Sequence, residues 1–219
     1  MGLSLLAVAV AVRPALRGIA AGLVVDESPA GGDYAIIAGG DRRFAVTADM
    51  IRRNQVRRVL LVTDQPSRLV RYGILPPWHE VARRELLENG VLEEAIELAD
   101  WKAKDDWHFA SRLNAWLNEH PRARLVVVAD RFGSRRLRFI LDSTLDAGDA
   151  GRVRILALPD RRYREDNWWR TRGGLRSVLD AYLSLGYAWL TGASGSSHED
   201  HWDPDQYEAE VRRVAGGAA

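Results

Sequence analysis

Aspartates lie at the ends of four short apolar runs of this sequence, and arginines follow closely. The runs are residues 35–40, 59–62, 125–129 and 153–158; the aspartates are Asp41, Asp64, Asp130 and Asp160, and the arginines include Arg42, Arg68, Arg131 and Arg161. Such runs are typical of strands buried on both faces of a parallel sheet. Ligands of these sheets bind beyond the carboxyl ends of the strands. The pattern predicts a ligand site there, and arginine suits phosphate or carboxylate.

The segment Gly39-Gly40-Asp41-Arg42 stands between the first predicted strand and the first predicted helix. Glycines there let backbone amides approach an anion at the amino terminus of a helix. The segment matches neither GxGxxG nor a Walker loop, so it does not indicate a dinucleotide site. We predict that Gly39, Gly40, Asp41 and Arg42 bind ligand. The alternative is a tight turn in which Asp41 caps the helix.

A second candidate segment runs from Asp130 to Arg136, out of an apolar run and into a predicted helix. Its polar side chains are placed to face the same crevice. We predict ligand-binding roles for Asp130, Arg131, Ser134, Arg135 and Arg136, and for Asp64 after the second strand. In the alternative, the arginines form a solvated helix face together with Asp142.

Histidines close to carboxylates are the candidates for proton transfer. His108 follows Asp106 by two residues, and a carboxylate can orient an imidazole for general acid–base chemistry. We predict His108, Asp106 and, beside Glu80, His79 as candidate catalytic residues. The alternative is that aspartates cap the helix and the histidines are surface residues.

Metal-dependent and nucleophilic catalysis lack their usual signatures. Residues 198–201 read His-Glu-Asp-His, but they lie in a tail without the helical scaffold of HExxH, so we predict no metal site. The chain has no cysteine, which excludes disulfides and thiolate catalysis. It also lacks a Gly-x-Ser-x-Gly elbow, the usual setting of a serine nucleophile.

Two adjacent tryptophans, Trp168 and Trp169, are followed by Arg170. Tryptophan beside arginine can stack on a planar ligand or lie at a lipid interface. The alternative is packing of the tryptophans between the last helix and the sheet. We expect core packing for one of the two and predict Trp169 as a ligand-binding residue.

The composition fits one α/β domain of a soluble type. The 219 residues are enough for a well-packed core with terminal extensions. Net charge is +1, from 31 basic and 30 acidic residues, so no global charge favours nucleic acid. Nearly all the basic residues are arginines, which anion binding and a GC-rich genome explain equally well.

Predicted strands and helices alternate along the chain. Besides the four strands, we predict a short strand at 94–98 and helices near 44–54, 78–89, 105–119, 134–145 and 175–190. This order indicates an α/β fold, a three-layer Rossmann-like sandwich with a mainly parallel sheet. In the last helix, Leu179, Leu183, Tyr187 and Leu190 recur at helical spacing.

We divide the chain into an apolar amino-terminal segment (1–25), an α/β domain (26–191) and a flexible carboxy-terminal tail (192–219). The apolar stretch Leu3 to Val12 is shorter than the roughly 20 residues that span a bilayer. It also lacks the marks of a standard signal peptide. It is an interfacial anchor, a shortened signal anchor or a helix packed on the domain. We favour association with the plasma membrane, with a cytoplasmic location as the alternative.

Several motifs occur in an order that resembles a known family. They are Leu23-Val24-Val25-Asp26-Glu27-Ser28-Pro29, Asp33 through Gly40 with arginine after it, Glu85 through Val91, Phe132 with Arg135-Arg136, and Trp168-Trp169-Arg170. Over residues 23–190 the chain resembles the YdcF/SanA/ElyC-like domains of the bacterial envelope. This resemblance implies a Rossmann-like domain with a role in lipid-carrier or cell-wall homeostasis and makes S-adenosylmethionine a candidate cofactor.

The chain departs from that family at two positions. It has Asp106-Trp107-His108-Phe109 where T-x-E-N is usual, and Gly133 where the family commonly has histidine. The resemblance therefore implies a binding site more firmly than catalysis.

Taken together, the sequence predicts a domain that binds an anionic ligand at the carboxyl edge of its sheet. The ligand classes are a nucleotide-like molecule and a phosphorylated lipid carrier or sugar. We expect a membrane surface as partner and no nucleic acid. Two alternatives stay open: a metal-assisted phosphatase or transferase, and a non-catalytic membrane scaffold.

Overall fold

A computed structural model of the chain describes residues 2–28, 31–37, 42–64, 66–192 and Arg213, with the backbone alone for residues 2–11, Arg42 and Asp64. The strands are β1 Tyr34–Ile37, β2 Arg58–Asp64, β3 Ile96–Ala103, β4 Leu125–Asp130 and β5 Val153–Leu158. The helices are α1 Gly2–Ala21, α2 Arg42–Arg52, α3 Arg68–Arg71, α4 Trp78–Glu88, α5 Asp106–Glu119, α6 Ser134–Thr144 and α7 Arg172–Thr191. Short 3-10 turns are formed by Glu93–Ala95, Ala150–Arg152 and Trp168–Arg170.

The five strands form one sheet in the order β3-β2-β1-β4-β5, and every neighbouring pair is parallel. At its centre Ile36 of β1 pairs with Leu60 of β2 and Val127 of β4. All three side chains are buried, as a strand covered on both faces requires. The predicted α/β Rossmann-like sandwich with a parallel sheet is confirmed.

Helices cover both faces of the sheet. On one face α5 and α6 pack through Leu113, Leu117 and Ile140 against Leu60 and Val127. On the other face α2 and α4 pack through side chains such as Phe44 and Leu86. Alternate residues of each strand point to opposite faces, so Leu60 and its neighbour Leu61 serve different layers.

The chain order reverses in the middle of the sheet. From β1 it proceeds through α2 to β2 on one side, whereas β4 and β5 lie on the other side of β1. Successive connections therefore diverge from the carboxyl ends of β1 and β4. In open parallel sheets this divergence leaves a crevice at that edge.

The amino-terminal segment packs on the domain by its second half. Ala20 and Leu23 are buried with Phe132, Trp168 and Val178 in one cluster. The indole Nε1–H of Trp168 donates to the carbonyl of Leu16 at 3.0 Å. Among the described residues, no helix is both long enough and apolar enough to cross a membrane.

Residues 26–27 lie along the outer edge of β5. The Glu27 N–H donates to the Ile155 carbonyl at 2.9 Å, and the Ile155 N–H donates to Glu27 Oε2 at 2.7 Å. The Ala157 N–H donates to Asp26 Oδ1 at 3.4 Å. Two carboxylates thus satisfy the N–H groups that an edge strand would otherwise expose.

Candidate ligand-binding crevice

A crevice of about 340 Å³ opens at the carboxyl edge of the sheet, beyond β1, β2 and β4. Its charged lining consists of Arg43, Lys104, Asp105, Asp106, Asp130 and Arg136. These side chains come from the first turns of α2, α5 and α6 and from the ends of β3 and β4. The crevice thus lies where the order of the strands reverses.

Arg43 is the most deeply placed of these charges. It is the second residue of α2, whose next residue Phe44 is buried against the sheet and holds the helix start over β1. Its Nη2 lies 2.6 Å from Oδ1 of Asp130, and the two side chains are 6% and 83% exposed. A buried cation is therefore paired with a carboxylate that is largely in solvent.

The other guanidinium nitrogen of Arg43, Nη1, is buried and has no hydrogen-bond acceptor in the part of the chain that the structure describes. An unsatisfied buried donor costs about 1–3 kcal/mol, and charged groups cost more. Thr47 Oγ1 and Trp101 Nε1 are also unsatisfied there, but neither lines the crevice. Arg43 Nη1 is therefore a buried cationic donor in a side chain that lines the crevice.

Two further ion pairs line the crevice. Arg136 Nη2 lies 2.5 Å from Asp106 Oδ2, and Lys104 Nζ lies 4.0 Å from Asp105 Oδ2. Asp105 also caps α5, because its Oδ1 accepts from the His108 N–H at 2.7 Å. Among the lining residues that the structure describes, every carboxylate thus has a cationic neighbour, and three positive charges balance three negative ones.

The amino termini of α2, α5 and α6 add positive potential. Each helix follows a strand and begins at the crevice, so its dipole favours an anion there. The residue before α6 is Gly133, which supplies no capping side chain. This helix end therefore has no carboxylate of its own, in contrast to α5 with Asp105.

The uncharged lining is mostly apolar. Val62, Phe109, Ala129 and Leu137 contribute to it, and Trp78 adds a half-buried indole. An aromatic face can stack on a planar group of a ligand. The crevice accordingly suits a molecule that has an anionic end and a planar or apolar part.

The structure brings three predicted site residues together in this crevice, namely Asp106, Asp130 and Arg136. The predicted residues Gly39, Gly40 and Asp41 lie outside the described residues. Arg42 starts α2 and Asp64 ends β2, and only their backbones are described.

Arg131 and Ser134 lie on the other side of the β4–α6 turn. Arg131 Nε donates to Glu165 Oε1 at 2.5 Å and Nη1 to Asp26 Oδ2 at 3.3 Å. The buried Ser134 Oγ donates to the Arg131 carbonyl at 2.6 Å and accepts from the Val25 N–H at 2.9 Å. These two residues attach the amino-terminal segment to the domain instead of facing the crevice.

Arg135 and Trp169 lie outside the crevice lining as well. Arg135 Nη2 donates to the carbonyl of Val24 at 3.3 Å. Trp169 is half-buried and makes an edge contact with Trp168, with ring centroids 6.0 Å apart. Trp168 is the buried member of the pair, in the cluster with Leu23 and Val178.

The predicted acid–base residues are not assembled into one unit. Nδ1 of His108 accepts from the Lys104 N–H and Nε2 faces Arg112 Nε, both at 3.3 Å. A neutral imidazole has one lone pair, so it can accept only one of these bonds at a time. Asp106 pairs with Arg136, and His79 is a half-buried residue of α4 outside the crevice lining.

Sequence reasoning missed Arg43, Lys104 and Trp78. Arg43 is adjacent to the predicted Arg42, and the burial of Phe44 one residue on was the signal that this turn faces the sheet. Lys104 was missed because β3 continues to Ala103, five residues beyond its predicted end at residue 98. In the described part of the chain, no three His, Asp or Glu side chains are grouped so that they could hold a metal ion.

No protein-family model, curated protein or solved structure matches this chain. The resemblance to the YdcF/SanA/ElyC-like domains stays a prediction from motifs. The α/β fold and the geometry of the crevice carry the functional argument.

Proposed function

We propose that this domain binds an anionic small molecule, a nucleotide-like or sugar-phosphate ligand, in the crevice at the carboxyl edge of its sheet. Arg43 is the anchor. The observation that carries the proposal is its buried Nη1, which lacks an acceptor among the described residues and belongs to a side chain that lines the crevice. A phosphate or carboxylate oxygen supplies that acceptor with a charge-assisted hydrogen bond.

The rest of the lining supports the same class of ligand. Asp130 uses Oδ1 on Arg43 and is otherwise exposed, so its second oxygen can accept from ribose or sugar hydroxyls. Trp78 offers a face for a planar base. S-adenosylmethionine, the cofactor implied by the family resemblance, has a carboxylate for Arg43 and an adenine for Trp78. A phosphorylated lipid carrier fits the apolar part of the lining.

We propose binding instead of turnover because the predicted proton-transfer residues have separate partners. Asp106 is held by Arg136, whereas His108 faces Lys104 and Arg112. A role in envelope homeostasis is part of the proposal only through the motif resemblance.

The test is the thermal stability of the full chain with inorganic phosphate, adenosine monophosphate, ribose 5-phosphate or S-adenosylmethionine. A ligand at one hundred times its dissociation constant adds about 2.7 kcal/mol to the free energy of unfolding. We expect at least one phosphate ester to raise the melting temperature of the wild type. The same ester should not raise the melting temperature of the Arg43→Met variant.

Arg131→Met is the matched control, because it removes the same charge outside the crevice. It is expected to keep the ligand-induced shift, measured from its own baseline. If the ligand-induced shift were lost equally in both variants, net charge would be its cause. If none of the four probes raised the melting temperature of the wild type, the proposal would be refuted.

A further inference from the structure

The outer face of α7 is formed by large apolar side chains that nothing in the described chain covers. We use the name outer α7 face for Leu175, Leu179, Tyr182, Leu183, Tyr187, Trp189 and Leu190. Leu183, Trp189 and Leu190 are 71%, 70% and 77% exposed. Contiguous exposed apolar surface of this kind marks an interaction site.

The inner face of α7 is built from smaller side chains. The buried residues are Gly174, Val178 and Ala188. Gly174 is required because a Cβ there would overlap the backbone of Trp168. An ordinary surface helix turns its leucines inward, whereas α7 packs mainly small residues inward, with Leu185 partly buried beside them, and presents its other leucines outward.

Charges on α7 are confined to its first half. They are Arg172, Arg176 and Asp180, and the stretch from Ala181 to Gly192 contains no charged side chain. A helix segment that is apolar on all sides is stable where it is covered by apolar material. We therefore expect an apolar neighbour to cover the second half of α7.

The apolar surface continues from α7 onto α1. Tyr182 Oη donates to the carbonyl of Ile19 at 2.5 Å, so the two helices touch. On α1, Ile19 and Val12 are exposed. Val12 and Ile19 are thus exposed apolar side chains on a helix that contacts α7.

The charged rim of the outer α7 face lies at its amino-terminal end, where Arg172 and Arg176 are exposed. On α1, Arg13 and Arg17 are also exposed, but Arg17 lines a different cavity with Glu165 and Asp166. The acidic residue Asp180 pairs with Arg176 at 3.3 Å. This rim complements anionic lipid headgroups, and Trp and Tyr are the side chains that favour the headgroup level of a bilayer.

We propose that the outer α7 face, with the adjoining part of α1, rests on the surface of an anionic lipid bilayer. Both helices lie along the interface with their apolar side chains below the headgroups. A second copy of the chain is the less favourable occupant. In a two-fold dimer with parallel α7 helices the arginines would meet one another, and in an antiparallel one Arg172 and Arg176 would be buried against the uncharged second half of the partner helix.

The test is cosedimentation of the full chain with lipid vesicles. One set contains phosphatidylcholine with about one third phosphatidylglycerol, the other phosphatidylcholine alone. We expect the wild type to bind the anionic vesicles at least about tenfold more tightly than the neutral ones. Absence of binding to anionic vesicles overturns the proposal.

Two double variants locate the contact. Leu183→Gln with Leu190→Gln is expected to weaken vesicle binding at least about tenfold, because each leucine that is buried in the bilayer adds a favourable transfer free energy to binding. Leu92→Gln with Leu98→Gln, at exposed leucines outside α1 and α7, is the control and is expected to bind like the wild type. Equal weakening in both variants, or in neither, overturns the assignment to α7.

A third measurement separates a bilayer from a dimer. Quenching of tryptophan fluorescence by brominated lipid is expected for the wild type and is expected to fall in Trp189→Phe. Light scattering without lipid should give the mass of one chain. A dimer that the Leu183→Gln and Leu190→Gln variant dissociates, together with unchanged quenching in Trp189→Phe, would show that a second copy occupies the face.

Discussion

The Arg43 guanidinium and the Asp130 carboxylate form a 2.6 Å ion pair in which the arginine is buried and the aspartate lies largely in solvent. Such a pair is easily rearranged on its exposed side and firmly held on its buried side. Because Arg43 also has a buried nitrogen without an acceptor among the described residues, the pair is incomplete in a way that a ligand can complete.

Replacement of Arg43 by methionine should separate binding from stability. The change removes a buried unsatisfied donor and keeps most of the side-chain volume, so we expect the free energy of unfolding to stay the same or rise by about 1 kcal/mol. Urea denaturation without ligand measures it. A loss of more than about 2 kcal/mol would instead make Arg43 a structural residue.

Arg136→Met should weaken ligand binding with little effect on folding. Its pair with Asp106 is half-exposed, and pairs of this kind contribute about 0–1 kcal/mol. If Arg136 contacts the anion, the dissociation constant measured by calorimetry should rise about tenfold, which corresponds to about 1.4 kcal/mol. The neighbouring Arg135→Met, whose side chain faces Val24, is the control. Equal effects of both variants would contradict a specific contact.

Arg131→Gln should lower the free energy of unfolding and leave the residues that line the crevice in place. The variant breaks partly buried bonds to Glu165 and the carbonyl of Ala157 and an exposed bond to Asp26, and we expect a loss of about 2 kcal/mol. Chemical denaturation measures the loss. Asp26→Asn combined with Arg131→Gln should cost less than the sum of the two single changes. Strict additivity would show that the two residues act independently.

Glu27→Ala should expose the outer edge of β5. The change removes the acceptor of the Ile155 N–H, and hydrogen exchange at that amide should accelerate severalfold, with a stability loss of about 1 kcal/mol. Exchange measured by NMR reports it amide by amide. Asp180→Ala, at an exposed carboxylate of α7, serves as the control. Unchanged protection of Ile155 in Glu27→Ala would contradict the assignment.

Stability should fall at alkaline pH through Tyr34. Burial, and next the charge of Glu97, raise the pKa of the Tyr34 phenol above its ordinary value of 10.0. The folded state thus favours the neutral phenol, so this stabilisation is present below about pH 10 and is lost as pH rises through the raised folded pKa. The free energy of unfolding, measured below and above this pH range, should change less in Tyr34→Phe than in the wild type. Parallel pH dependence in both proteins would refute the role of Tyr34.

The fold was predictable because a strand that is buried on both faces has a simple sequence pattern, an unbroken apolar run. The run Leu125 to Ala129 is apolar at every position, and such a run fits the centre of a parallel sheet. The sheet edge that carries the site followed from the same pattern. Asp130 and Arg136 line the crevice at that edge, and their ligand-binding roles stay predictions.

The direction of side chains after a strand was not predictable in the same way. Asp130 faces the crevice while Arg131, one residue further, faces Asp26. Which of them turns inward depends on the dihedral angles of the turn, and a pattern of residue types does not contain them. The hydrogen-bond partners of Arg131 include Asp26 and Glu165, which are remote from it in the sequence.

Helical spacing likewise shows which residues share a face but not where that face points. Leu179, Leu183 and Leu190 recur at helical spacing, as a core-facing stripe would. In the structure Gly174 lies so close to the Trp168 backbone that a Cβ would overlap it, and Leu179, Leu183 and Leu190 point outward. A close contact made by a residue without a side chain is not visible in apolar spacing.

The pairing of β1 with β4 has a consequence for how the protein folds. Tyr34 pairs with Leu125, so the strands on the two sides of the crevice are separated by two complete strand–helix units of chain. Closing such a long loop is entropically costly and is typical of a late step in folding. During synthesis, β1, α2 and β2 leave the ribosome well before β4. We therefore expect ligand to accelerate or stabilise only the final stage of folding, since no earlier intermediate contains both Arg43 and Asp130 in place.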